Sequence, residues 1–161
     1  MARTDNETRI TPSVLDRLID DEPGQSREAP TSRPKSVGDL KQSVKRDLEW
    51  LLNTRQVVGG APPGLKELNR SLATYGLPDF SAVSIKSPAD QARMERTLEN
   101  AIGAFEPRLE GVTVTIIPPR DVEQKMRFRI EARLRVEPAP VPVTFDTVLQ
   151  ASSNQYLVTA E

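Results

Sequence analysis

Residues 125–137 read Lys-Met-Arg-Phe-Arg-Ile-Glu-Ala-Arg-Leu-Arg-Val-Glu, an unbroken alternation of charged and apolar side chains. Successive side chains of a strand point to opposite faces. This period of two therefore puts Met126, Phe128, Ile130, Ala132, Leu134 and Val136 on a core and the arginines and glutamates in water. A sheet packed on one face and wet on the other is an antiparallel sheet. Upstream, Val112, Val114 and Ile116 alternate with Thr113 and Thr115 until Pro118-Pro119 closes a first strand. Downstream, prolines at 138, 140 and 142 interrupt, Val143 and Phe145 resume the pattern, and Tyr156-Leu157-Val158 supply a last strand.

Before residue 106 the apolar period is helical. Val37, Leu40, Val44, Leu48, Leu51 and Leu52 recur at steps of three and four behind Ser36, a candidate N-cap, and predict an amphipathic helix over 37–55. Lys41, Lys45, Arg46 and Glu49 fall on its other side, the expected solvated face. Leu65, Leu68, Leu72 and Tyr75 predict a shorter helix with Gly76 as its left-handed stop. Ser87-Pro88-Ala89-Asp90 combines an N-cap, a proline at the first helical position and a first-turn acid. The helix it starts runs through Ala92, Met94, Leu98, Ala101 and Ile102 to Phe105, because Pro107 disfavours the α region for Glu106. The sum is an α+β domain: about three helices packed on one face of a small antiparallel sheet of three to four strands.

Residues 20–35 hold three prolines and no large apolar side chain, the composition of a linker. The domain plan is a docking arm over 1–22, a flexible linker over 23–35 and the α+β body over 36–161. Within the arm, Val14, Leu15, Leu18 and Ile19 form one apolar stripe behind Thr11-Pro12-Ser13, with Ser13 and Asp16 spaced as a capping box. A helix of two turns is unstable alone, so that stripe needs a partner.

Composition narrows the chemistry. The chain has 161 residues, 22 Lys+Arg, 23 Asp+Glu, no His and no Cys, and a formal charge of -1. This removes Cys/His zinc sites, thiol nucleophiles, Ser-His-Asp relays and disulfide frameworks. No catalytic, metal-binding or cofactor-binding residue is expected, and no apolar run is long enough to span a membrane. The cations Arg120, Lys125, Arg127, Arg129, Arg133 and Arg135 could track phosphates. They are interleaved with Asp121, Glu123, Glu131 and Glu137, however, and carry no aromatic to stack a base, so no nucleic acid partner is expected. Glu99, Glu106 and Glu110 are the carboxylates nearest to a hydrolase pair, a spacing that 23 acids produce by chance. Phe105-Glu106-Pro107-Arg108-Leu109 is more distinctive: proline fixes a stiff corner displaying an acid and a guanidinium. Either they pair internally or they offer a bidentate contact to a partner chain.

Pro12–Leu18, Val44–Arg55, Tyr75–Asp79, Phe105–Leu109 and the closing strands, taken in order, resemble the TssE subunits of type VI secretion baseplates. These are kin to the wedge protein of contractile phage tails, also called GPW or lysozyme-like. The resemblance implies a non-enzymatic wedge component with a sheet like the interlocking strand module of sheath proteins. Such a component joins the wedge to the sheath and seeds sheath polymerisation by strand pairing. It implies partner contacts at Glu106, Pro107 and Arg108, docking of the arm through Val14, Leu15, Leu18 and Ile19 on a TssF/TssG core, and TssK and the sheath subunits TssB/TssC as further partners. It also implies a cytoplasmic location beside the inner membrane, with the membrane reached only indirectly. On this view, exchanging Arg108 for Glu abolishes sheath assembly and leaves the fold intact. The alternative is a muramidase-like hydrolase acting on peptidoglycan, for which the residues of this chain give no support.

Overall fold

The computed structural model describes residues 10, 13–19, 37–57, 64–65, 67–80, 87–117, 126–150 and 155–160. The Ser36 cap, the 20–35 linker, Pro118-Pro119, and the residues Arg120, Asp121, Glu123 and Lys125 lie outside these. A short helix α1 (Val14–Leu18) precedes the long helices α2 (Val37–Asn53) and α3 (Pro88–Phe105). Strands β1 (Leu109–Ile117), β2 (Arg127–Leu134), β3 (Val141–Gln150) and β4 (Gln155–Ala160) form one antiparallel meander in the order β1-β2-β3-β4. The α+β arrangement expected from the two periodicities is the one observed.

The alternation at 126–137 holds at every position: each apolar residue is buried, while Arg127, Glu131, Arg133, Arg135 and Glu137 are exposed. Phe128, Ile130 and Leu134 on β2 and Phe145 on β3 have no accessible surface. Against them pack Val44, Leu48, Leu51 and Leu52 of α2 and Met94, Leu98 and Ile102 of α3, in one continuous core. Burying side chains of this size contributes roughly 1.5–3 kcal/mol each before the entropy cost of ordering them. α3 begins as its sequence dictates, with the Ser87 hydroxyl accepting from the Asp90 amide and Pro88 in the first turn. In β1 the register shifts between Glu110 and Thr113 around Gly111, which has φ +61°. A glycine in the left-handed region at an inserted residue is how an edge strand absorbs a bulge.

The segment behind Gly64 departs from its reading. In place of a helix over 65–75 there are two 3-10 turns, Leu68–Arg70 and Leu72–Thr74, separated by an extended Ser71 whose hydroxyl accepts from the Ala73 amide. Helical spacing of leucines is not enough where no surface waits for them: Leu65 and Leu72 are exposed, Leu72 to 86 %. Gly76, in contrast, has the expected positive φ, +106°. It lets Leu77 donate to the Thr54 carbonyl and accept from Gln56, joining this segment to the end of α2.

A Cβ on Gly76 would lie 2.5 Å from the Thr54 carbonyl oxygen. Gly76→Ala combines that clash with a strained backbone, so it should lower stability by at least ~1–3 kcal/mol, read as a fall in the urea midpoint at constant slope.

Candidate interaction site

α3 ends where Pro107 forbids a further turn. The Glu106 amide still reaches the Ile102 carbonyl at 2.8 Å, and the Glu106 carbonyl accepts from Leu109 at 3.1 Å as β1 begins. This tight corner returns the Arg108 side chain over Glu106. The guanidinium is a fork: Nε donates to Glu106 Oε1 at 2.7 Å and one terminal nitrogen to Oε2 at 2.5 Å. That same nitrogen reaches Asp47 Oδ2 at 2.5 Å, and the other donates to Ser43 Oγ at 3.0 Å and lies 3.7 Å from Asp16 Oδ2. Ser43, Arg46 and Asp47 stand at i, i+3 and i+4 on α2 and so share one face.

Arg46 completes the cluster from the far side, donating to Asp47 Oδ1 at 2.9 Å and to Asp16 Oδ1 at 2.8 Å. Ser43 also donates its hydroxyl to Asp16. The arm is thereby folded onto α2 through its polar residue. Ser13 and Asp16 form the capping box, so Asp16 both starts α1 and anchors it. Two guanidiniums thus serve three carboxylates contributed by the arm, α2 and the corner. Among the described residues no acidic group is arranged to hold a metal ion; the cation between these acids is arginine.

The electrostatics follow from this crowding. Burial opposes charge on Arg108, but the Glu106 and Asp47 carboxylates outweigh it and raise its proton affinity. Burial likewise pushes Asp16 up, yet hydrogen bonds from Ser43, Arg46 and Ser13 hold it well below the usual carboxylate range. The Tyr75 phenol is pushed up by burial first and then by the Asp47 and Glu106 charges. Beside the cluster opens a hollow of about 390 Å³, lined mainly by Leu15, Trp50, Tyr75, Phe105 and Pro107. Tyr75 and Phe105 meet edge to face at 5.2 Å, and the Arg46 guanidinium lies 5.3 Å over Trp50.

The structure brings the arm and the corner, two separate features in the sequence, into one place. Glu106 and Arg108 turn inward: the Glu106 side chain is 4 % exposed and Arg108 18 %. Pro107 is on the surface. Val14 and Leu18 point outward at 74 % and 75 % exposure, with Leu15 at 38 % and Ile19 half-buried. Sequence reading missed Asp16, Ser43 and Asp47 as members of the cluster and assigned Arg46 to a solvated face. The signal available was the i, i+3, i+4 polar set of α2, and it becomes specific only with the corner beside it. The carboxylates considered for hydrolysis are all engaged. Glu99 accepts from the Val114 amide at 2.9 Å, Glu106 holds Arg108, and Glu110 lies 3.5 Å from Arg135. On the open sheet face Arg129 forms a bidentate pair with Asp146, so this member of the cationic stripe is engaged within the sheet.

Removing the guanidinium strands a buried acid, so Arg108→Glu should destabilise the fold rather than leave it intact. Arg108→Leu should cost about 3–5 kcal/mol, and adding Glu106→Leu should recover a large part of it; chemical denaturation of both variants measures this. For the arm, the depressed Asp16 contributes stability that is complete above the unfolded carboxylate value of about 4. It is lost as pH falls below that value towards the folded one. The arm should therefore remain docked at pH 5 and detach in stronger acid, whereas Asp16→Asn should free it at pH 7. Amide exchange at Asp16 and Ile19 reads both.

The family model for the baseplate wedge protein gp25 matches residues 38–139, well over half of the chain. The match takes in α2, α3, the Glu106–Arg108 corner and the first two strands. No curated protein matches the chain. The family is one of structural, phage-tail-like baseplate proteins that assemble with other baseplate components. This chain belongs to the baseplate wedge protein gp25 family.

Proposed function

We propose that this chain is the TssE-type wedge subunit of a type VI secretion baseplate, joining the wedge to the sheath and seeding sheath polymerisation by strand pairing. The observation that carries an assembly role at this site is the arm. α1 is fixed to the body by its charged side, through Asp16, while Val14 and Leu18 are exposed and Leu15 lines the hollow together with Trp50 and Pro107. A short helix that spends its polar face internally and leaves its apolar face in water is ready for a groove on another protein. We assign that face to the TssF/TssG core, with TssK and the sheath subunits TssB/TssC completing the surroundings.

The corner acts in this reading by shaping the surface. Arg108 and Glu106 set the position of Pro107 and the wall of the hollow, and the partner meets Pro107, Leu15 and the aromatic lining. No described helix is long and apolar enough to cross a membrane, so in this reading the subunit reaches the secretion membrane complex through its partners. The muramidase alternative gains no observation: the corner carboxylate is ion-paired, and among the described residues nothing marks another as its catalytic companion.

The experiment is co-purification from cells expressing the secretion operon. Val14→Asp with Leu18→Asp should leave the melting temperature of the isolated protein unchanged and abolish recovery of wedge subunits. Undiminished recovery would remove the arm from the interface, and loss of wedge partners without loss of sheath assembly would overturn the joining role.

A further inference from the structure

In this meander β1 and β4 are the edges, and at alternate residues an edge strand presents amides to whatever lies outside. Here two amides on each edge are taken by helix side chains. On β1 the Val114 and Ile116 amides donate to the Glu99 and Glu95 carboxylates, each at 2.9 Å. On β4 the Tyr156 amide donates to Asn53 Oδ1 at 2.7 Å and the Val158 amide to Glu49 Oε1 at 3.1 Å. Asn53 returns a bond to the Tyr156 carbonyl at 2.9 Å.

The fit comes from two periods. Four helical residues advance about 6.0 Å and two strand residues about 6.6–6.8 Å, so side chains at i and i+4 reach successive outward amides. In each pair the later helical residue meets the earlier strand residue, as antiparallel helix and strand require.

The two closures differ. Asn53 brackets Tyr156 through amide and carbonyl together, as a paired strand residue does, from a short side chain. Glu95 and Glu99 hold amides only, from side chains with three free torsions, and a carboxylate that lets go regains its hydration. β1 is also the longer edge, with 9 residues against 6. We propose that the edge of β1 is a strand acceptor kept shut by Glu95 and Glu99, and that its ligand is an extended segment carrying Lys or Arg on the side turned towards α3. The incoming strand supplies carbonyls to Val114 and Ile116, and its cations take the displaced carboxylates, so opening leaves neither amide nor acid without a partner. This rests on the strand-pairing part of the function proposed above and adds a gate and a charge preference to it.

The test uses the full chain, E95A/E99A and E95Q/E99Q, titrated with a nine-residue capped peptide alternating Thr and Lys and with its Thr/Glu counterpart. In E95A/E99A, amide exchange at Val114 and Ile116 should accelerate about tenfold, while Thr113 and Thr115, which face β2, stay protected. The unmodified chain should bind the Lys peptide about fivefold or more above the Glu peptide, and E95Q/E99Q, which keeps an acceptor oxygen, should fold and lose that preference. Unchanged exchange in E95A/E99A, or equal or absent binding of the two peptides to the unmodified chain, would overturn the inference. Since the titration contains no secretion component, a gated edge in a protein that ignores sheath subunits would sustain the inference and remove only the sheath assignment.

Discussion

A guanidinium with carboxylates on three sides can neither be neutralised nor left partly paired, and Arg108 imposes that condition on three elements of this protein at once. Glu106 fixes it to the end of α3, Asp47 and Ser43 to α2, and Asp16 lies close enough to extend its field to the arm. Arg46 then adds a second cation to Asp16 and Asp47. Because Glu106 is almost fully buried, its charge is tolerable only while Arg108 stays. The corner, the first long helix and the arm therefore share a fate, and the apolar stripe of α1 owes its outward orientation to the acid on its inner side.

The same device, a helix side chain answering a backbone or charge that packing alone would leave open, recurs along the sheet. α2 and α3 supply leucines to the core from one face and acids or an amide to the edge strands from the next. Each long helix is thus a core element and an edge cover together. For a subunit of an assembling machine this has a consequence: a four-stranded sheet with bare edges would pair with its own copies, and capping confines pairing to strands able to displace the caps.

What could be read from the sequence was local. The period of two in β2 survives intact because side chains on a pleat must alternate whatever the neighbours are. The start of α3 at Ser87-Pro88 and its stop before Pro107 depend on backbone chemistry within a few residues. Gly76 was legible for the same reason, whereas the leucines before it were not, since their helical spacing had no surface to bury against. The Glu-Pro-Arg corner was legible as a stiff acid-base pair, but whether it closed internally depended on Asp47, 61 residues away, and on an arm beyond a linker. The edge caps were invisible for a related reason: Glu95 and Glu99 look like any exposed i, i+4 acids until β1 lies beside them.

If Arg108 unites these elements, its carboxylate partners are energetically coupled, and that coupling can be measured. In a double-mutant cycle of Asp47→Asn and Glu106→Gln, followed by equilibrium denaturation, the two carboxylates sit on different elements and share one nitrogen of the Arg108 guanidinium. A shared cation predicts an interaction energy of roughly 0.5–3 kcal/mol, and additivity within about 0.3–0.5 kcal/mol would contradict it.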